Sequence, residues 1–208
     1  MMRTDYSQWG EQQIILDFFK GQAEGTFLDL GAFDGVTGSN TRALAELGWT
    51  GVMVEASPFA FADLVEEMRP FPEVRLVCAA AMSLGGVTAW QETCSQVSTA
   101  EVGGHVTPWV KHRFHVAVAT PQAILAAFGG HYDFVSVDVE GMDLDVIRSL
   151  GSLLSSTRLL CYETRRPNRK PEPEYVACMK AVLAAHGFTR VIGETNGGSG
   201  NTLVAKGA

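Results

Sequence analysis

The chain has 208 residues, 46% of them apolar and 19% charged, with a net charge of −7 and a mean hydropathy of +0.08. That composition fills one full-sized core and excludes a disordered chain. The acidic balance, with an isoelectric point near 5.2, provides no basic field for a phosphate backbone, which excludes nucleic acid as the expected main partner.

In chain order, Thr26-Phe27-Leu28-Asp29-Leu30 is an apolar run ending at Gly31 and reads as a buried strand. Gly38-Ser39-Asn40 offers helix caps, Thr41 to Leu47 has apolar residues at helical spacing, and Gly48 closes that helix. Gly51 to Glu55 is a second buried strand. Ser57-Pro58 then starts a helix over Phe59 to Met68, a hydroxyl cap followed by proline at the first helical position. Val74 to Ala80 and Gly86 to Trp90 read as strands. Gln91 to Arg113 is the least regular stretch, with Gly103-Gly104, His105, Pro108, Trp109 and His112, and is expected to be a long functional loop on the acceptor side. His115 to Ala119 is a strand, and Thr120-Pro121 opens a helix over Gln122 to Phe128. Tyr132 to Val139 is a strand rich in β-branched residues, Met142 to Leu150 an amphipathic helix, and Thr157 to Tyr162 a strand. Pro173 to His186 is a helix stopped by Gly187, and strands Phe188 to Ile192 and Thr202 to Ala205 are joined by the glycine-rich turn Asn196 to Asn201. The alternation predicts a mostly parallel sheet covered on both faces, with an antiparallel strand in a closing hairpin. No repeat or linker interrupts it, so residues 1–208 are expected to form a single domain.

Cys78, Cys94, Cys161 and Cys178 lie far apart with no Cys-x-x-Cys pair, so neither a zinc ribbon nor a redox motif is written here. The opening residues lack the apolar stretch of a signal peptide. The longest run without Asp, Glu, Lys or Arg, Phe114 to Tyr132, is broken by Pro121 and Gly129-Gly130 and does not read as a membrane helix. A cytoplasmic location without membrane contact is the expectation.

Ligands of open parallel sheets bind at the carboxyl ends of the strands, where strand order reverses. The first strand here runs into Asp29-Leu30-Gly31-Ala32-Phe33-Asp34-Gly35, whose glycines let backbone approach a ligand. The second ends at Glu55, 26 residues after Asp29, close to the about 20 that precede an acid holding ribose hydroxyls. Glycines after a strand often make only a turn, and a strand-end acid is often only solvated; the pair in this context says more. Phe33 stands where a dinucleotide site needs its second glycine, which argues against a nicotinamide cofactor, and no Gly-Lys-Ser/Thr marks a triphosphate loop. S-adenosylmethionine suits these acids: it has a ribose and an amino group and no phosphate.

Phe27 to Thr41, Val54-Glu55-Ala56-Ser57-Pro58, Phe134 to Val146 with its Asp138-Val139-Glu140-Gly141 core, and the opening Tyr6-Ser7-Gln8-Trp9-Gly10-Glu11 together resemble the FkbM family of methyltransferases. The resemblance implies a Rossmann-like class I methyltransferase sandwich, with a mostly parallel seven-stranded sheet, one antiparallel strand in a C-terminal hairpin and helices on both faces. It implies S-adenosylmethionine as cofactor and methyl transfer to a hydroxyl oxygen. Carried over, Asp29, Gly31 and Gly35 form the first binding loop, with Ala32, Phe33 and Asp34 under the methionine part and Gln8 nearby. Ser39 and Asn40 approach its carboxylate, or simply cap a helix. Glu55 holds the ribose, Ala56 and Ser57 lie along the adenine, and Ala80 offers backbone to it.

A neutral hydroxyl needs a base or a metal to lose its proton. Asp138 ends a central strand beside the expected sulfonium, Glu140 follows, and Glu163 ends the next strand, so these three are the leading acid–base candidates. The same three carboxylates offer an alternative Mg²⁺ site. His105 and His112 in the irregular stretch are further candidate bases, His112 the better placed; His115, His131 and His186 read as structural. Asp143 and Asp145 read as partners of a helix dipole. Trp109 and Phe114 suggest an apolar acceptor pocket, and Arg165 to Lys170 is the basic cluster that follows Glu163. The expected acceptor is a small molecule, a sugar or secondary metabolite, and a homodimer is compatible with the sequence. The alternatives are transfer to a carboxylate or nitrogen on a peptide or amine, or a cofactor-binding module without turnover.

Overall fold

The computed structural model describes residues 4–93, 98–100, 110–164, 173–195 and 200–207. Its elements in chain order begin with α1 (Glu11–Phe18), β1 (Thr26–Leu30), α2 (Arg42–Glu46), β2 (Thr50–Glu55), α3 (Pro58–Glu67) and β3 (Val74–Cys78). Next come β4 (Ala80–Ala81), β5 (Gly86–Thr93), β6 (Ser98–Ala100), β7 (Val110–Ala119) and α4 (Pro121–Phe128). The last are β8 (Phe134–Val137), α5 (Asp143–Leu150), β9 (Leu159–Glu163), α6 (Pro173–Ala185), β10 (Phe188–Glu194) and β11 (Asn201–Lys206).

The main sheet has seven strands in the order β10-β11-β9-β8-β1-β2-β3. β1 pairs in parallel with both β2 and β8, and β11 runs antiparallel to its neighbours β9 and β10. This is the expected mostly parallel seven-stranded sheet with its closing hairpin. Side chains alternate across the sheet, and each face has its own core. Leu28, Leu30, Val52, Val54, Val135, Val137 and Leu160 face Ile124, Val146, Ile147, Met179 and Leu183 of α4, α5 and α6. Phe27, Met53, Phe134 and Leu159 face Ile15, Leu44 and Leu64 of α1, α2 and α3. Full burial of each such Leu or Phe contributes about 1.5–3 kcal/mol, which is why these strands read as continuous apolar runs. The cap signals at Ser57-Pro58 and Thr120-Pro121 are met: Ser57 Oγ accepts from Ala60 N at 3.3 Å and Thr120 Oγ1 from Ala123 N at 3.1 Å.

Three features differ from the expectation. α1 is additional; Gly10 precedes it at φ 91 with no side-chain cap, and it is held by tertiary packing, with Phe19 edge-on to Trp49 at 4.8 Å between ring centroids. The strand expected over Val74 to Ala80 breaks at Ala79, whose N–H donates to Glu55 O at 2.9 Å, and β4 leaves the main sheet. The stretch from Gln91 to Arg113 is not simply a loop. β5 reaches Thr93, β7 begins at Val110, and with β4 and β6 they form a second sheet in the order β4-β7-β5-β6. The period-two alternation Phe114, Val116, Val118 continues a strand that glycines and a proline upstream obscured. Gly103-Gly104, His105, Pro108, Trp109, the cluster Arg165 to Lys170 and most of the turn Asn196 to Asn201 lie outside the described residues. Among the described residues no helix is long and apolar enough to cross a membrane.

Candidate active site at the carboxyl ends of the parallel strands

The sheet reverses its strand order at β1, so the turn after Leu30 opens at the switch point. Gly31 has φ 92, and a Cβ there would lie 1.8 Å from the backbone oxygen of Asp138, so glycine is what lets β1 and β8 end side by side. Gly31 N and Ala32 N both donate to Val54 O, at 2.9 and 3.1 Å, tying the turn to β2. Phe33 at φ 50 and Glu140 at φ 55 are non-glycine residues in the left-handed region. Such strain costs about 1–3 kcal/mol per residue and gathers at functional sites; here it sits at the ends of the two adjacent strands.

Glu55 is buried and closes the turn. Its Oε2 accepts from Phe33 N at 2.8 Å and its Oε1 from Ser57 N at 2.7 Å. Burial pushes its carboxyl upward, and those N–H donors oppose the shift. Each oxygen keeps a further lone pair for a hydroxyl ligand. Asp29 is buried beneath the turn, where Oδ2 accepts from Thr41 Oγ1 at 2.5 Å. Burial pushes it up to about 7, against the Thr41 hydroxyl and with repulsion from Asp138 and Glu55. Asp29 therefore braces α2 against β1. Asp34 is occupied within its own turn, accepting from Val36 N, Thr37 N and Thr37 Oγ1. Ser39 Oγ accepts from Thr41 N and Arg42 N, the N–H groups that open α2. Asn40 is buried; its Nδ2 donates to Ser136 Oγ at 3.2 Å and Cys161 Sγ at 3.6 Å. Gln8 is exposed beside the short bridge between Ser7 and Gly38. Ala32, Ala56, Ser57 and Ala80 are buried, and Gly35 sits at φ 77 against Leu64.

The opposite wall is acidic. Asp138, Glu140 and Glu163 are half-buried and Asp143, the first residue of α5, is fully buried. Burial pushes Asp138 up to about 6, opposed by the Glu140 N–H and helped by the charge of Glu11. Glu140 rises to about 8 and Glu163 to about 9, from burial first and then from repulsion within this same group of acids. Asp143 rises to about 7 by burial and by Asp138; its Oδ2 accepts from Gly141 N at 3.2 Å. The sequence alone suggests a helix-dipole partner for Asp143. Its position just past the sharp Gly141 turn, pointing back into the wall, was the available signal. Among the described residues no three His, Cys, Asp or Glu side chains are arranged to hold a metal ion, so the Mg²⁺ set drawn from Asp138, Glu140 and Glu163 is not assembled.

His112 lies away from that wall. Its exposed ring stacks on Phe59 of α3 at 5.1 Å, with Phe114 edge-on to Phe59 at 6.1 Å, on the Glu55 side of the cleft. Phe114 also packs against Ala56, Ala80 and Val116. The structure thus brings Asp138, Glu140 and Glu163 together and leaves His112 with the aromatic cluster.

Solved structures with the same fold include a TehB-like SAM-dependent methyltransferase from Corynebacterium glutamicum, at 13% identity and TM-score 0.51, covering 96% of this chain and 88% of that one. Fibrillarin from Aeropyrum pernix, solved with natively bound S-adenosyl-L-methionine, matches at 12% identity and TM-score 0.56, covering 94% and 74%. The ribosomal protein L11 methylase of Lactobacillus delbrueckii subsp. bulgaricus matches at 12% identity and TM-score 0.52, covering 94% and 77%. No curated protein matches the sequence. The methyltransferase FkbM domain matches residues 29–189, from the end of β1 into β10. With that match across most of its length, the chain belongs to the FkbM family of S-adenosylmethionine-dependent methyltransferases.

Proposed function

We propose that this methyltransferase acts on a hydroxyl oxygen of a small molecule such as a sugar or secondary metabolite. The observation that carries the reading is the wall of four carboxylates at the ends of β8 and β9, beside the Gly31 turn. Their acidities differ: Asp138 titrates near 6, and Glu140 and Glu163 near 8 and 9. Groups driven apart in this way divide acid and base roles between them. At neutral pH Asp138 is mostly ionised and accepts the proton that a hydroxyl must lose, while Glu140 and Glu163 retain protons and donate to acceptor oxygens.

The residues fit the cofactor. Asn40 Oδ1 and Asp143 Oδ1 are buried acceptors without a donor among the described residues, and Glu55 has lone pairs to spare. A ligand with an ammonium group and ribose hydroxyls supplies donors, whereas a pyrophosphate supplies none. When bound, S-adenosylmethionine provides an electrophilic methyl carbon on a positive sulfur, with its charge complementing the wall. Glu55 holds the ribose, Ala56, Ser57 and Ala80 line the adenine, and Asn40 and the Gly31–Gly35 turn hold the methionine part. Gln8 and Ser39 support that end from the surface and from the start of α2. His112 and Phe59 flank the adenine side, and the second sheet forms part of the acceptor wall of one domain. The net charge of −7 favours a neutral or cationic small molecule over a nucleic acid.

The test is incubation of the protein with methyl-labelled S-adenosylmethionine and a panel of neutral sugars, polyols and phenols, followed by mild alkali. Label that survives alkali on a hydroxyl compound supports the proposal. Alkali-labile label marks a methyl ester and a carboxylate acceptor, and transfer confined to added amines marks a nitrogen acceptor; either would overturn it.

A further inference from the structure

Glu11 has 0% exposure, a rare condition for a carboxylate. Its Oε2 accepts from Trp9 N at 2.8 Å; its Oε1 accepts from Thr195 Oγ1 at 2.8 Å and Asn201 Nδ2 at 3.0 Å. Burying an ion is expensive even when hydrogen-bonded, and an apolar residue at the start of α1 would avoid that cost.

The carboxylate joins two segments that both lead to the cleft. On one side, the arm before α1 forms a bridge from Ser7 to Gly38, just ahead of Ser39 and Asn40. On the other, Thr195 and Asn201 close the turn between β10 and β11: Asn201 N donates to Thr195 Oγ1 and Thr195 N to Asn201 O, each at 3.0 Å. Gly200 O in that turn accepts from Thr164 N at 3.1 Å and Thr164 Oγ1 at 2.5 Å, and Thr164 directly follows Glu163. We infer that Glu11 is a positioning residue for methyl transfer, holding the arm over the Gly38 turn and the acidic end of β9 in place through one buried carboxylate. The inference rests on the proposed cofactor site and adds a residue that does not touch the cofactor.

The charge of Glu11 also reaches Asp138. The titratable groups around Asp138 are Glu11 from α1, Asp29 from β1, Glu55 from β2, Glu140 and Asp143 around the start of α5, and Cys161 and Glu163 from β9. Removing the Glu11 charge lowers the repulsion on Asp138 and so lowers the pH at which it takes up a proton.

Calorimetric titration of S-adenosylmethionine into wild type, Glu11→Gln and Thr195→Val across pH 5.5–8.5 tests this, with circular dichroism to confirm folding. Both variants are expected to bind roughly tenfold more weakly at pH 7.5, within the range by which residues away from a ligand modulate its affinity. In Glu11→Gln the fall in affinity on acidification moves to lower pH, whereas Thr195→Val, which keeps the charge, follows wild type. A purely structural role does not move that profile. Wild-type affinity in both variants, or an unshifted profile in Glu11→Gln, overturns the inference. If Glu11→Gln does not fold, the affinity of Thr195→Val decides. Absence of binding by wild type defeats the cofactor site itself, a separate outcome.

Discussion

Asp29 and Glu55 on one side of the cleft, and Asp138, Glu140, Asp143 and Glu163 on the other, are all acids withdrawn from solvent, but they are held differently. The first two are served by the chain's own donors: the Thr41 hydroxyl on Asp29, and the N–H groups of Phe33 and Ser57 on Glu55. Of the other four, Asp138 and Asp143 take backbone donors from Glu140 and Gly141, but Asp143 Oδ1 has none among the described residues, and Glu140 and Glu163 are pushed up by burial first and then by neighbouring acids. Acids with internal donors shape the turn. Acids that repel each other suit positive charge from outside, which is why the proposed chemistry is assigned to them.

Breaking the wall at its junction with the turn has the largest expected effect. Gly31→Ala drives a Cβ against the Asp138 carbonyl at an unfavourable φ, and should cost roughly 4 kcal/mol or more in urea unfolding. Asp138→Asn leaves the backbone in place and should lower kcat about 10²- to 10⁴-fold with hydroxyl acceptors; an unchanged kcat would remove Asp138 from proton transfer. On the opposite side, Thr41→Val takes the donor from buried Asp29 and should cost about 1–3 kcal/mol of stability, with a smaller effect on turnover than Asp138→Asn. The smallest effect has the opposite sign. Glu140→Gly relieves φ 55, so it should stabilise the protein by about 1 kcal/mol, near 2–4 °C in Tm, while slowing transfer.

The two groups also predict a pH response. Asp138, Asp143, Glu140 and Glu163 have folded values of about 6, 7, 8 and 9, above those of unfolded carboxyls. The folded state therefore holds more protons, and stability present in acid is lost as pH rises through these values. Thermal melts of the ligand-free protein should show Tm falling from pH 6 to 9, with a smaller fall when S-adenosylmethionine is present.

The parallel strands, the caps at Ser57 and Thr120, and the acids at Glu55 and Asp138 were legible because each is a local pattern: an apolar run, a hydroxyl before proline, a charge at a strand end. α1 was not, because it has no side-chain cap and depends on packing of Ile15 and Phe19. The second sheet was hidden because its strands pair across a stretch that turn-forming residues break up. The place of Glu11 was out of reach for a different reason: its carboxylate is buried against Thr195 and Asn201 from the far end of the chain, and its charge reaches Asp138, 127 positions away. The stacking of His112 on Phe59 of α3 was equally illegible, because it joins residues 53 positions apart.

The most direct measurement is titration of the protein with S-adenosylmethionine at pH 7.5 in buffers of differing ionisation enthalpy. A cation settling against Glu140 and Glu163 should drive protons off them, so the observed heat should vary with the buffer and report net proton release, less of it for the uncharged sulfur of the demethylated product. Binding with no proton exchange, or equal release with the product, would contradict the role given to the acidic wall.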